Sequence, residues 1–78
     1  MKVVFKIQHV TGVFQSDIRE MTEYDAINLV NAASRGDKPL DFISWENYCV
    51  ASDDWEKVYT RFSVDVLKNS VISFRIVR

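Results

Sequence analysis

The spacing of apolar residues predicts one amphipathic helix, from Met21 to Gly36, with both of its ends marked in the sequence. Apolar side chains recur there at intervals of three and four residues, which places them along one stripe of a helix. They are Ala26, Ile27, Leu29, Val30 and Ala33. Thr22 can cap the first turn by accepting a hydrogen bond from the backbone N–H of Asp25. Gly36 can adopt the left-handed conformation that ends a helix, and Pro39 prevents its continuation.

Alternating apolar and polar residues before the helix predict a β-hairpin made of residues 2–10 and 13–20. A two-residue loop sets Val10 opposite Val13 and gives the hairpin one mainly apolar face. Because Thr-Gly is not the best sequence for a two-residue turn, a bulge at Gly12 is the alternative.

The chain after Pro39 is less regular. Residues 40–52 predict a second hairpin that turns at Glu46 and Asn47, and one continuous bulged strand fits nearly as well. Residues 52–54 predict either a turn or the start of a short helical turn that carries Trp55.

The last third alternates again, over residues 58–66 and 71–77. A three-residue loop at 68–70 sets apolar residues opposite apolar ones, so the pattern predicts a C-terminal hairpin. A turn of helix over residues 64–69 is the rival interpretation.

Together these elements predict a small α+β domain that spans residues 1–78. Its order is ββα followed by a mostly antiparallel meander of three to four strands, with one helix packed on a curled sheet. The layout is similar to that of short, stand-alone ββα-plus-strands proteins of bacteria and their phages. A chain of this length buries only roughly 60% of its unfolded surface, so a homodimer that protects exposed strand edges is plausible on physical grounds.

Composition excludes several classes of protein. No apolar run approaches the roughly 20 residues that a membrane-spanning helix needs, so we expect a cytoplasmic protein. Cys49 is the only cysteine, which excludes an intrachain disulfide and a zinc site built on thiolates. We expect no cofactor and no bound metal.

Charge is distributed unevenly behind a net value of −1. Residues 41–56 contain five acidic side chains and no basic one, whereas residues 57–78 contain five basic and one acidic. The acidic segment also holds large aromatic residues, which often anchor protein interfaces. The sequence therefore predicts a non-catalytic protein-interaction or regulatory module with an unknown protein partner. Its predicted partner-binding residues are Trp45, Tyr48, Trp55, Asp53, Asp54 and Glu56. The opposing interpretation is that these aromatic residues belong to the core.

The basic end of the chain suggests a second function. Aromatic and guanidinium groups that share a sheet face can hold single-stranded nucleic acid. On the outer face of the predicted C-terminal hairpin these residues would be Tyr59, Arg61, Arg75 and Arg78.

Catalysis has little support in the sequence. His9 is the only histidine, and no nucleophile or orienting carboxylate is predicted beside it. Clustered carboxylates can bind calcium or magnesium, but the spacing here matches no EF-hand loop. These carboxylates are Asp41, Glu46, Asp53, Asp54 and Glu56. We therefore expect no catalytic residue and no enzymatic activity.

Overall fold

The structure is a computed structural model that describes residues 1–37, 43–58 and 61–78. These residues form a curled antiparallel sheet and two helices, which confirms the α+β class. In chain order the elements are β1 (Lys2–His9), β2 (Gly12–Ser16), β3 (Arg19–Glu20), α1 (Glu23–Ser34), β4 (Trp45–Cys49), β5 (Asp54–Val58), α2 (Val64–Lys68) and β6 (Val71–Val77).

The first strand is the centre of the sheet. β6 pairs with β1 from Lys2 to Gln8, so β2 and β3 share the other edge of β1. β4 pairs with β2, and β5 pairs with β4. Across the sheet the strands lie in the order β6, β1, β2, β4, β5, and β3 continues the line of β2 along the same edge of β1. Every pair is antiparallel.

The N-terminal hairpin is present in a register that differs from the predicted one. His9 lies opposite Gly12, so the loop consists of Val10 and Thr11, and the predicted pairing is wrong by two residues. The backbone N–H of Thr11 donates to His9 Nδ1 at 3.2 Å, which holds the turn closed at this point. Since the error is an even number of residues, the side chains of β1 and β2 keep their predicted faces, whereas Arg19 and Glu20 of β3 lie on the faces opposite to those predicted.

The second strand of this hairpin is interrupted at Asp17 and Ile18. Three residues separate the paired residues Gln15 and Arg19, whereas only two separate their partners on β1. The extra residue defines a β-bulge. The bulge lies here and not at Gly12. The backbone N–H of Asp17 donates to the carbonyl oxygen of Ser44 at 3.0 Å, which ties the bulge to the start of β4.

Helix α1 has the predicted caps. Thr22 Oγ1 accepts from the backbone N–H of Asp25 at 3.1 Å. At the other end, Gly36 has φ +88° and donates to the carbonyl oxygen of Ala33, while Asp37 donates to that of Ala32. This pair of bonds is the Schellman motif, which satisfies the last free carbonyl groups of the helix.

The buried stripe of α1 is narrower than the sequence predicts. Ala26 and Ala33 are fully buried, and Leu29 and Val30 pack against the core, but Ile27 is 43% exposed. Small alanine side chains let the helix lie close to the sheet. Ile27 follows Ala26 by one residue, about 100° around the helix, and therefore points away from the sheet.

The predicted C-terminal hairpin is wrong in the described part of the chain, where Val58 belongs to β5; residues 59 and 60 of its predicted first strand lie outside that part. Residues 64–68 form helix α2, the rival interpretation, and Ser63 Oγ caps it by accepting from the backbone N–H of Val66 at 3.2 Å. The apolar residues of β6 pair with β1 instead: Ile72 lies opposite Ile7. The alternation was misleading because Val64 is 40% exposed while Leu67 is buried, a helical pattern too short to recognise by its period.

The middle segment contains one strand, β4 (Trp45–Cys49), and the predicted turn at Glu46 and Asn47 is wrong. β4 runs through both residues and turns after Cys49. Asp53, in that turn, has φ +50°. The chain then returns as β5, so Trp55 lies in a strand and not in a helical turn. The first residues of the predicted segment, 40–42, lie outside the described part of the chain.

The core fills the space between one sheet face, here called the inner face, and the two helices. Val3, Phe5 and Ile7 of β1 are fully buried on this face. Phe62, just before α2, meets Trp45 edge to face with ring centroids 5.1 Å apart. The remaining buried apolar members of the cluster are Ala26, Ala33, Ile43, Leu67 and Ile72.

We expect Gly36→Ala to destabilise the protein by about 2 kcal/mol, because a Cβ makes the left-handed conformation cost roughly 1–2 kcal/mol. A Cβ here would also lie 2.8 Å from Val64 Cγ1 of α2. Urea unfolding monitored by circular dichroism measures the change. Ser34→Ala, an exposed position at the end of α1, is the control and should stay within about 0.5 kcal/mol. Equal stability of Gly36→Ala and the wild type would contradict the left-handed cap.

The outer face of the sheet as a candidate binding site

The sheet face opposite the core, here called the outer face, is covered by neither helix in the described part of the chain. Both helices contribute to the core on the inner face. Because side chains alternate along a strand, the residues between the core residues of β1 point outward, and the register carries this face across the sheet. Its central residues are Val4, Lys6, Gln15, Glu46, Tyr48, Trp55, Lys57, Ser73, Arg75 and Val77.

An aromatic pair lies at one side of the outer face. Tyr48 of β4 and Trp55 of β5 are directly opposite each other. Their ring centroids are 5.3 Å apart with an interplanar angle of 62°, a tilted contact that stabilises both rings in place. Both side chains are half-buried, so part of each ring remains accessible to a ligand.

The turn between β4 and β5 fixes the tyrosine. The hydroxyl of Tyr48 donates to Asp53 Oδ1, and this bond, with a smaller contribution from burial, raises the pKa of Tyr48 above its usual value. In the same turn, hydrogen bonds from Ser52 lower the pKa of the Cys49 thiol.

Basic side chains flank the aromatic pair on the same face. Lys6 of β1 lies in one row with Gln15, Glu46 and Lys57. Three strand spacings of about 4.8 Å separate the two lysines, which are therefore about 14 Å apart at their backbones. Gln15 Nε2 donates to Glu46 Oε2 at 3.0 Å, so that the carboxylate has a partner within the row.

A cleft of about 430 Å³ lies on this face, where the bulge separates β2 from β3. Its lining includes Lys57 of β5 and Arg75 of β6, together with the aliphatic side chain of Val4, which is 5% exposed and lies outside the core cluster. None of the ion pairs among the described residues includes Lys6, Lys57 or Arg75. Two carboxylates, of Asp17 and Glu46, also line this cleft; the first pairs with Arg19 and the second accepts from Gln15.

The sign of the charge differs between this face and the chain as a whole. Four outward-facing strand residues are basic and two are acidic, which leaves two positive charges in excess on a chain of net charge −1. The basic ones are Lys2, Lys6, Lys57 and Arg75, and the acidic ones are Glu20 and Glu46.

The predicted partner-binding residues do not form one surface. Trp45 is 2% exposed and belongs to the core. Tyr48 and Trp55 share the outer face, whereas Asp54 and Glu56 alternate with Trp55 along β5 and point to the opposite side. Asp53 therefore contacts the aromatic pair through its bond with Tyr48, whereas Asp54 and Glu56 are separated from that pair by the sheet.

The predicted nucleic-acid-binding residues are also divided. Tyr59 lies outside the described residues. Arg61 is exposed before α2, Arg78 is exposed after β6, and only Arg75 lies on the outer face. Lys6 and Lys57 also lie on the outer face, and the sequence did not predict them as candidate site residues. The alternation of β1 was the signal for Lys6, but Lys57 could be placed only once the partner of β5 was known.

The described ranges contain no candidate metal site. No three of their His, Cys, Asp and Glu side chains come together as a metal ion would need. Asp41, one of the predicted carboxylates, lies outside these ranges. Neither described helix has the length and apolar character needed to cross a bilayer. The cytoplasmic location stays a prediction.

The described residues form a small α+β fold in which neither helix covers the outer face of the curled sheet, and this face holds aromatic and basic side chains side by side. Comparison with protein-family models, with curated proteins and with solved structures finds no match for the chain. Its function has to be inferred from the outer face.

Proposed function

We propose that the protein is a non-catalytic binding protein that holds single-stranded nucleic acid on the outer face of its sheet. The observation that carries this proposal is the Tyr48–Trp55 pair on the same open face as Lys57 and Arg75. Single-stranded nucleic acid presents bases that stack on aromatic rings and phosphates that attract basic groups.

The aromatic pair supplies the stacking platform. A base that stacks on an aromatic side chain contributes about 1–3 kcal/mol, without a strict sequence preference. The hydrogen bond of Tyr48 to Asp53 and the contact with Trp55 limit the motion of the ring before binding. Less side-chain entropy is then lost when the nucleic acid binds.

The basic side chains supply the phosphate contacts. Lys57 and Arg75 line the same cleft, and Lys6 belongs to the adjoining row. The two carboxylates of this cleft, of Asp17 and Glu46, bond to Arg19 and Gln15 and form no ion pair with Lys57 or Arg75 among the described residues. The excess of positive charge on this face also favours an anionic ligand in a chain that is slightly acidic overall.

A protein partner is the other class of ligand for this face, in an interaction or regulatory module of bacterial or phage type. The half-buried Trp55 would then be the anchor. Because Trp45 belongs to the core, and Asp54 and Glu56 point away from the outer face, most of the predicted partner-binding residues are absent from this surface. Nucleic acid fits the remaining residues better.

Fluorescence anisotropy with a labelled mixed-sequence single-stranded oligonucleotide tests the proposal. We expect binding at about 50 mM salt, and a slope of log Kd against log salt near 2, because each phosphate contact to a single strand contributes about 0.7 and the face offers Lys6, Lys57 and Arg75. Absence of binding to both DNA and RNA at low salt would overturn the nucleic-acid proposal and leave the protein partner.

A further inference from the structure

Strand β6 is paired along only one of its two edges by the described residues. That edge pairs with β1 at each residue from Val71 to Val77, but none of the described residues pairs with the free edge. β6 has no proline, no bulge and one charged residue, Arg75. Prolines, bulges and several charged residues are the devices by which proteins usually prevent an edge strand from pairing with another chain, and β6 largely lacks them.

The other edge of the sheet is protected. β5 carries Asp54, Glu56 and Lys57 among its five residues. Self-pairing centred on Trp55 or on Glu56 would set carboxylates opposite each other, which is unfavourable. The contrast between the two edges indicates that β6 is the edge at which pairing is tolerated.

The sequence of β6 is compatible with antiparallel pairing to itself. A two-fold axis at Phe74 sets apolar residues opposite apolar ones and sets no two like charges directly opposite each other. The pairs are Val71 with Val77, Ile72 with Ile76 and Ser73 with Arg75. Phe74 then lies opposite Phe74 of the second copy. The inner rows of the two sheets become one apolar row.

The apolar side chains left exposed at this end of the molecule fit the same arrangement. Val71 is 65% and Ile76 is 42% exposed, although both belong to a strand of the main sheet. Pairing would remove part of this surface from water and would offset the small core of a 78-residue chain.

We propose that the free edge of β6 binds β6 of a second copy, antiparallel about Phe74, so that two sheets form one continuous sheet in a homodimer. This inference stands independently of the nucleic-acid proposal. In such a dimer the outer faces of both copies become contiguous, with Arg75 of each copy near the dimer axis.

Sedimentation equilibrium without nucleic acid tests the dimer. We expect a mass twice that of the 9.1-kDa chain at micromolar concentration. Ser73→Lys places a lysine beside Arg75 of the second copy at two symmetric points and should weaken the dimer about tenfold. Ser73→Glu, the matched control at the same exposed site, should retain it or strengthen it.

Circular dichroism of both variants checks that the fold survives. A monomer at all concentrations, or an open series of larger assemblies from pairing of β6 with β5, would overturn the proposal. Equal weakening by Ser73→Lys and Ser73→Glu would also overturn it, because the register about Phe74 predicts opposite effects.

Discussion

Trp45→Ala is expected to destabilise the protein by about 3–5 kcal/mol, the range for removal of a buried large aromatic side chain. Trp45 is 2% exposed and its ring contacts Phe62, which in turn contacts Phe14 at a centroid distance of 5.0 Å. Truncation would leave a cavity where β4, β2 and the segment before α2 meet. For a domain of this size the loss is a large part of the total stability.

Trp55→Ala is the matched variant, because it removes the same side chain from the neighbouring strand. Trp55 is half-buried on the outer face and contacts Tyr48, outside the core cluster. We expect it to cost about 1 kcal/mol, from the lost ring pair and a modest area of burial. Urea unfolding of both variants measures the difference. Equal destabilisation, or a larger effect of Trp55→Ala, would show that the two tryptophans have been assigned to the wrong faces.

Lys57→Gln combined with Arg75→Gln is expected to weaken oligonucleotide binding between about tenfold and a hundredfold at about 50 mM salt. Loss of two phosphate contacts also lowers the salt slope by about 1.4. Both residues line the outer-face cleft, and glutamine keeps hydrogen-bonding capacity while it removes the charge. Anisotropy titrations at several salt concentrations separate a loss of charge from a general loss of fit.

Arg35→Gln combined with Lys68→Gln is the control for this pair, because it removes the same total charge from the C-terminal ends of the two helices. Affinity and salt slope should then stay close to those of the wild type. If the two double variants lose affinity equally, binding follows the net charge of the chain and the outer face has no special role.

The parts of the fold that the sequence predicted are those decided by local interactions. Thr22 and Gly36 specify the ends of α1 through bonds within one or two turns, and both ends are present as expected. The alternation of β1 likewise predicted which of its side chains reach the core. Val3, Phe5 and Ile7 occupy every second position, so they share one face of the strand, and burial of that face removes all three from water.

The parts that the sequence could not predict depend on distant partners. Register in the first hairpin was set by the His9–Thr11 turn, which competes with the equally regular pairing two residues away. Val64 and Val66 match either a strand or one turn of helix, and the strand position beside β1 is taken by β6. In such segments tertiary pairing decides between two local patterns of similar stability.

The candidate site shows the same division. That Tyr48 and Trp55 are large aromatic residues near a turn was visible in the sequence, but not that they face away from Trp45. This separation follows from the pairing of β4 with β2, which buries Trp45 opposite Ser16. Lys6 and Lys57 likewise come into one row only through three successive strand pairs.

An oligonucleotide titration followed by two-dimensional ¹H–¹⁵N NMR tests the outer-face assignment most directly. We predict that chemical shifts change at the amides of Lys6, Gln15 and Arg75 and at the indole N–H of Trp55, while the amide of Ala33, buried in α1 on the inner face, stays nearly unchanged. Shift changes confined to the exposed side of α1, around Asn28 and Asn31, or no changes at low salt, would contradict the account.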